Sequence, residues 1–316
     1  MRVIFFGTPS CAVPYLRAIR EAGGELVGVV TQPDKAKGRS KQLCPSPVKE
    51  AAQAEHLCLL QPPTCRDLDF IDHLRNLQPD LLLIVAYGQI LCPNLLAVPR
   101  VAALNVHYSL LPAFRGAAPV QHALLAGLAE TGVSLQHLAA ELDAGDVVAQ
   151  VALSIAEEDN AETLMARLTD LGVALVKCQL ADAFTGVAPR TPQDARQVTV
   201  APRLAKQDGL LDLQDSATRL ANRIRAVTPW PGAAMCLRGQ RLLVRQARPL
   251  PVLSPTTPGQ ILALDPLRGP TIATGDGALE LLALQPVGKK TMSGADYLRG
   301  SRLTMDDVFT SGQDCG

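Results

Sequence analysis

Residues 1–30 read MRVIFFGTPSCAVPYLRAIREAGGELVGVV, and this stretch decides the fold class. Val3–Phe6 is a short apolar run closed by Gly7-Thr8-Pro9, the pattern of a buried strand that ends in a turn. Ala12–Glu21 then carries apolar residues at helical spacing and stops at Gly23-Gly24. Glu25–Val30 (ELVGVV) is a second strand. Strand, helix and strand in so short a span make a crossover unit whose two strands lie parallel in one sheet. Neither strand alternates polar with apolar residues, which suits a sheet covered on both faces.

Further along, a polar stretch from Thr31 to Pro47 leads into a helix starting near Ser46, with Pro47 at its first position. Leu57–Leu60 reads as a third strand, Asp67–Leu77 as a helix and Asp80–Ala86 as a fully buried strand. Ala102–His107, Gly132–Leu138 and Val147–Ile155 continue the strands, with helices over Pro119–Ala126 and about Ala161–Phe184. Past Gly186 the texture changes: Arg190–Arg203 is polar and linker-like, and Ser216–Ala226 is a single amphipathic helix. Short β-type runs follow at Ala233–Leu237, Arg241–Arg248, Gln260–Leu264, Pro270–Ala273 and Ala278–Leu284, punctuated by Gly and Pro. Such a series predicts a small β-barrel. The expected architecture is α/β: a Rossmann-like open, mostly parallel sheet domain over 1–189, a linker over 190–207, and a small OB-like β-barrel domain over 208–316.

The chain has 316 residues, 47% of them hydrophobic, enough to bury the cores of two domains. No apolar run approaches the roughly 18 residues of a membrane span, and no signal or transit pattern precedes the first strand. The eight cysteines include no C-x-x-C pair, so reduced thiols are expected and a zinc site or any other metal is not. A soluble, cytoplasmic protein of enzyme size, monomeric by default, is the class that remains. Lys plus Arg and Asp plus Glu both total 30, yet residues 1–200 carry 16 basic and 20 acidic side chains while 201–316 carry 14 and 10. That tilt fits a second domain that meets a polyanion, and equally two ordinary solvated surfaces.

Gly7-Thr8-Pro9-Ser10 is not G-x-G-x-x-G, and no P-loop occurs, which argues against a dinucleotide oxidoreductase or a P-loop NTPase. An open sheet of this kind still takes its ligand at the carboxyl ends of its strands. The richest segment is residues 104–121, LNVHYSLLPAFRGAAPVQ, where Asn105 and His107 lie two apart at a strand end and point the same way. A second cluster follows between strand-like segments, Glu141-Leu142-Asp143-Ala144-Gly145-Asp146. An amide can donate to a developing oxyanion, an imidazole can stabilise it or shuttle a proton, and a carboxylate can hold the imidazole. Spacing alone does not bring them together: Asn-x-His is often structural, and the acidic cluster reads equally as a turn. In the 31–47 stretch, Lys35, Lys37, Arg39 and Lys41 face only Asp34, as a solvated loop also would.

The stretch NVHYSLLPAFRGAAPVQ, followed by TGVS and then LDAGD, resembles the folate-dependent formyltransferases, which use 10-formyltetrahydrofolate. Agreement elsewhere narrows the resemblance to the members that act on methionyl-tRNA. The segments are FFGTPSCAVPYL, VVTQPDKAKGRSKQLCPSPVK and VAYGQIL in the first half, and VAPRLAKQDGLLD, AVTPWPGA and LLALQPVGKKTMSGADYLRG in the second. Together they cover essentially the whole chain.

That resemblance implies transfer of the formyl group to the α-amine of methionine on the initiator tRNA, for translation initiation. Asn105, His107 and Asp143 match the family's catalytic residues, with Asn105 and His107 stabilising the oxyanion and Asp143 supporting His107. Ser109, Leu110, Leu111 and Pro112 match the folate-contacting loop. Gly88, Gln89, Ile90 and Leu91, with Ala140, Glu141 and Leu142, match segments that line the pterin pocket, mainly through backbone groups. Lys35, Lys37, Arg39 and Lys41 match a loop that enters the tRNA acceptor stem, Arg39 being the family's key arginine. Lys206, Arg223, Arg225, Arg241, Arg245, Lys289 and Lys290 are candidates for phosphate contacts in the second domain.

Two rivals stay open: formylation of a small amine, such as an amino sugar or purine precursor, and a folate- or tRNA-binding protein without chemistry. The barrel with TPWPG and QPVGKK speaks against the first, and the intact Asn105, His107 and Asp143 against the second. The chain also departs from the family pattern. Cys11 stands where an aromatic residue is common, Tyr108 where a small one is, and Gln136-His137-Leu138 where a Met-rich stretch is usual. The loop reads KAKGRSKQ instead of RPAGRGKK. These departures bear on pocket shape and loop conformation, since no proposed catalytic group is lost.

Overall fold

The structure, a computed structural model, describes residues 1–37, 42–184, 188–251 and 256–314. Contacts divide the chain into two compact units. The first comprises Met1–Pro119, Glu130–Ser154 and Met165–Ala201; the second comprises Val120–Ala129, Ile155–Leu164 and Pro202–Gly316.

Strands of the first unit are β1 (Arg2–Gly7), β2 (Glu25–Val30), β3 (Lys35–Lys37), β4 (Gln42–Cys44), β5 (Leu59–Leu60), β6 (Leu81–Val85), β7 (Ala102–His107), β8 (Arg115–Gly116), β9 (Glu130–His137), β10 (Val147–Ser154) and β11 (Val200–Ala201). Seven of them form one sheet in the order β10-β9-β7-β6-β1-β2-β5. The run β5-β2-β1-β6-β7 is parallel, and β9 and β10 join antiparallel at one edge. The mostly parallel sheet expected from residues 1–30 is therefore present. Its apolar strands are buried because helices cover them: α1 (Pro14–Glu21), α2 (Pro47–Ala54) and α3 (Leu68–Asn76) precede β6. Ser46 Oγ accepts from Lys49 N (3.0 Å) and Asp67 Oδ1 from Asp69 N (2.9 Å), so both α2 and α3 start on side-chain caps. Ile4, Phe6, Ile71, Leu74, Leu82 and Tyr87 form one buried cluster, with Phe6 and Tyr87 edge to face at 5.3 Å. Each such side chain contributes about 1.5–3 kcal/mol when fully buried.

Two features differ from the reading of the sequence. The stretch Thr31–Pro47, read as a polar loop, contains the antiparallel pair β3 and β4, with Lys35 opposite Cys44 and Lys37 opposite Gln42. Three-residue strands of Lys, Ala, Gln, Leu and Cys carry no periodic signal to find. Within 190–203, read as linker, β11 pairs in parallel with β8, Val200 against Arg115 and Ala201 against Gly116.

After α4 (Pro93–Leu96), α5 (Pro119–Leu125) and α6 (Ala161–Phe184), the chain enters α7 (Ala217–Ala226) of the second unit. The strands there are β12 (Ala233–Leu237), β13 (Gln240–Leu250), β14 (Ile261–Asp265), β15 (Gly269–Ala273), β16 (Ala278–Pro286), β17 (Met292–Ser293) and β18 (Phe309–Ser311), with α8 (Gly294–Ser301) between the last two. They form an antiparallel half-barrel in the order β14-β15-β16-β13-β12-β18, with β17 on β16 and one bridge, Gln260 to Val308, between its ends. The five strands read from the sequence are all there. The additions, β17, β18 and α8, are two, three and eight residues long and escaped notice. Arg225 on α7 donates to the carbonyls of Ala156 (3.2 Å) and Glu157 (3.3 Å), which ties Ile155–Leu164 into this unit.

Among the described residues Cys11, Cys58, Cys65, Cys92 and Cys178 form no disulfide, while Cys236 is disulfide-bonded, which departs from the expectation of reduced thiols. No helix among the described residues is long and apolar enough to cross a membrane.

Candidate active site

β7 lies between β6 and β9 and carries the two residues that drew attention in the sequence. Asn105 is opposite Gln136 and His107 opposite Ser134 across the antiparallel pair. Directly opposed residues share a face, as do residues two apart, so all four side chains emerge on one side of the sheet. The imidazole of His107 is buried, with Nε2 2.9 Å from the Phe114 carbonyl oxygen and Nδ1 3.6 Å from Asp143 Oδ2. The first is a hydrogen bond; the second is an ion-pair distance, too long for a hydrogen bond. The carboxamide of Asn105 has no hydrogen-bond partner among the described residues and is half-buried.

Asp143 reaches His107 because its turn is pinned from several sides. Its Oδ2 accepts from Gly116 N (2.9 Å) and its Oδ1 from Gln136 Nε2 (3.1 Å). The backbone there is left-handed, φ 51° at Asp143. Gly145 is required two residues on, since a Cβ would sit 1.8 Å from the His137 carbonyl oxygen. Gln193, from the segment read as linker, donates from Nε2 to the carbonyls of Asp143 (2.8 Å) and Gly145 (2.7 Å). Its own Oε1 accepts from Arg115 Nε (3.0 Å) and Nη2 (2.9 Å).

The loop after β7 is equally tied down. Ser134 Oγ donates to the Ser109 carbonyl (2.6 Å) and accepts from Leu111 N (3.0 Å), while Gln150 Nε2 donates to the Leu111 carbonyl (2.8 Å). Ser109 Oγ donates to the Ala113 carbonyl (2.6 Å). Phe114 N donates to Thr199 Oγ1 (2.8 Å) and Arg115 N to the Thr199 carbonyl (2.9 Å), so the strand β11 and its lead-in hold the carbonyl that faces His107.

The structure thus brings Asn105, His107 and Asp143 together. Sequence reasoning missed Gln193, Arg115 and the Phe114 carbonyl, and met Gln136 only as a departure from a pattern. No local signal marks a glutamine whose partners lie about 50 positions away. Of the other segments, Gly88 has φ 88° and a Cβ there would meet Gln32 Nε2 at 2.4 Å. Gln89 Oε1 accepts from Cys65 N (3.1 Å), and Leu91 packs on the core cluster. Ile90 is 68% exposed and Leu142 60%, two apolar side chains left open beside segments that otherwise present backbone. Leu110 and Pro112 are half-buried, and Ala140 and Glu141 are exposed. Among the described residues no group of three or more His, Cys, Asp or Glu is placed to hold a metal ion.

Basic residues fall into three groups. Lys35 is hydrogen-bonded to Gln32, whereas Arg39 and Lys41 lie outside the described residues, as does the side chain of Lys37. Arg223 and Arg245 are committed to near neighbours: Arg223 to the Asp208 carbonyl (3.4 Å), Arg245 to Gln285 Oε1 (2.6 Å) and the Pro229 carbonyl (3.0 Å). Arg225 is held as described above, and burial lowers its guanidinium from the usual range. Lys206, Arg241, Lys289 and Lys290 are exposed and carry no side-chain partner among the described residues. Arg241 lines two cavities, one of about 470 Å³ with Lys206 and Trp230, the other of about 260 Å³ with Val287. Trp230 is 54% exposed.

The chain is similar to known proteins over nearly its whole length. Residues 1–178 match the formyl transferase family and residues 203–302 the formyl transferase C-terminal domain. The chain is 40% identical over 309 residues to a methionyl-tRNA formyltransferase of Bacillus subtilis, across 98% of this chain and 97% of that protein. A methionyl-tRNA formyltransferase of Solibacter usitatus is 40% identical over 312 residues, across 99% of each. Among solved structures, HypX from Aquifex aeolicus in complex with tetrahydrofolic acid has a TM-score of 0.61 at 20% identity, over 94% of this chain. The chain spans 47% of HypX, and at that identity the likeness is one of fold.

Proposed function

The chain belongs to the methionyl-tRNA formyltransferases, and from that membership we propose how its residues carry the reaction. The enzyme formylates methionyl-tRNA. The donor in this reading is 10-formyltetrahydrofolate, whose formyl carbon the methionyl α-amine of the initiator tRNA attacks; the bond from that carbon to the folate nitrogen then breaks, and tetrahydrofolate leaves with the proton the amine gives up. Asn105 donates from its carboxamide to the oxygen on which negative charge develops. His107 stands on the same face; its Nε2, released from the Phe114 carbonyl, supplies a second donor or takes up a proton from the amine. Asp143, held on both oxygens, faces Nδ1 and orients the ring.

The observation that carries the reading is this one contact set, an imidazole between a carbonyl and a pinned carboxylate, beside an amide with no hydrogen-bond partner among the described residues. The residues also fit a folate. Ile90 and Leu142 offer apolar surface to a flat ring, Gly88 offers exposed backbone, and the tied-down loop Ser109–Pro112 gives a fixed wall after β7. The tRNA meets the basic stretch that begins at Lys35 and, on the second unit, the exposed cations Lys206, Arg241, Lys289 and Lys290. Trp230, beside two of those cations, offers a stacking surface to an unpaired base. This reading keeps the enzyme a cytoplasmic monomer.

His107→Ala tests the assignment. It should abolish turnover while leaving tRNA affinity nearly intact; equal loss of both would count against the catalytic role.

A further inference from the structure

We propose that Gln136 and Gln193 are positioning residues for the transfer, acting through Asp143 in a relay that starts at Arg115. The inference rests on the catalytic reading of Asp143 given above. Gln136 is fully buried, and a buried carboxamide needs partners for both its ends. The chemistry of each end is dictated in turn by its neighbour. A guanidinium has only donors, so Arg115, bonded through Nε and Nη2, fixes the oxygen of Gln193 on its own side. The Gln193 amino group then points at the carbonyls of Asp143 and Gly145, and also lies 3.3 Å from Gln136 Oε1. With its oxygen so placed, Gln136 has its amino group toward Asp143 Oδ1 at 3.1 Å.

The consequence falls on the carboxylate. Gln136 holds Oδ1 and Gly116 N holds Oδ2, so rotation of the group is blocked with Oδ2 turned to His107. Gln193 does the same for the backbone: two carbonyls of a turn with a left-handed residue, with no other partner among the described residues, share one amino group. Without either glutamine the carboxylate can swing away from Nδ1, and the geometry His107 needs is sampled only part of the time.

Gln136→Met removes the hydrogen bond and keeps the volume. In single-turnover assays with folate donor and charged tRNA, its transfer rate should fall about ten-fold or more, the scale of a lost hydrogen bond to a charged group. The KM for each substrate should stay within about two-fold, because binding of both is made elsewhere. The decisive arm is the same substitution in an Asp143→Ala background, where it should cost nothing further. A full loss repeated in that background, or no loss in the native one, overturns the proposal. Asp143→Ala at native rate would instead sink the catalytic reading beneath it. Gln193→Met, read in the same two backgrounds, serves if Gln136→Met does not fold.

Discussion

His107 is hydrogen-bonded to a carbonyl on one side and faces a carboxylate on the other, so its neighbours can be removed one at a time. Asn105→Ala takes away a donor without disturbing any hydrogen bond among the described residues. It should therefore lower the transfer rate by about 10²–10³, the usual cost of one oxyanion donor, with an unchanged melting temperature. A rate within a few fold of native would remove Asn105 from the mechanism. Gly145→Ala makes the opposite kind of test. The added methyl meets a backbone oxygen that cannot move aside, so stability and activity should fall together, by thermal melting and by rate. At this scale the sequence was informative where chemistry is local. Asn105, His107 and Asp143 were legible as types at a strand end and in a turn, but Gln193 was not, because only folding brings it there. Two departures from the family pattern also explain each other. Tyr108 lies against Cys11 and 3.3 Å, hydroxyl to hydroxyl, from Tyr15, so the large residue stands beside the small one.

At the scale of elements, strands buried on both faces were the easiest to read. β1, β2 and β6 are runs of Val, Ile, Leu and Phe, and their hydrophobicity alone places them in a covered sheet. Pairs such as β8 with β11 carry no such signal, yet that pair sets the Phe114 carbonyl against His107. In the second unit, the turn between α7 and β12 presents Trp230, the only tryptophan in the chain. Its fluorescence reports one site without labelling. Addition of charged or uncharged tRNA should change that fluorescence, with an affinity that falls as salt rises. Trp230→Leu should raise the KM for tRNA and leave that for folate alone. An unaltered spectrum at saturating tRNA would remove Trp230 from the interface.

Across the whole molecule, the two units should respond to acid in different ranges. His137, in the first unit, has its imidazole pushed below the usual range by burial, with Arg190 adding to the effect. A histidine that resists protonation when folded adds stability above its unfolded value of about 6.5 and loses it as pH falls further. Asp307, in the second unit, is lowered to about 2, chiefly by the paired hydrogen bonds from Arg238. Its contribution is complete above an unfolded value of about 3.9 and is lost as pH falls toward 2. Urea unfolding followed against pH should show His137→Gln flattening the mildly acid limb and Asp307→Asn only the strongly acid one. The reverse pattern would contradict both assignments.

The most direct measurement mixes the purified protein with 10-formyltetrahydrofolate and methionine-charged initiator tRNA, and assays N-formylmethionine on the tRNA. Charged elongator tRNA and free methionine serve as parallel acceptors. Formylation of the initiator tRNA alone is the predicted result. Folate binding without formyl transfer to the initiator tRNA would contradict the account.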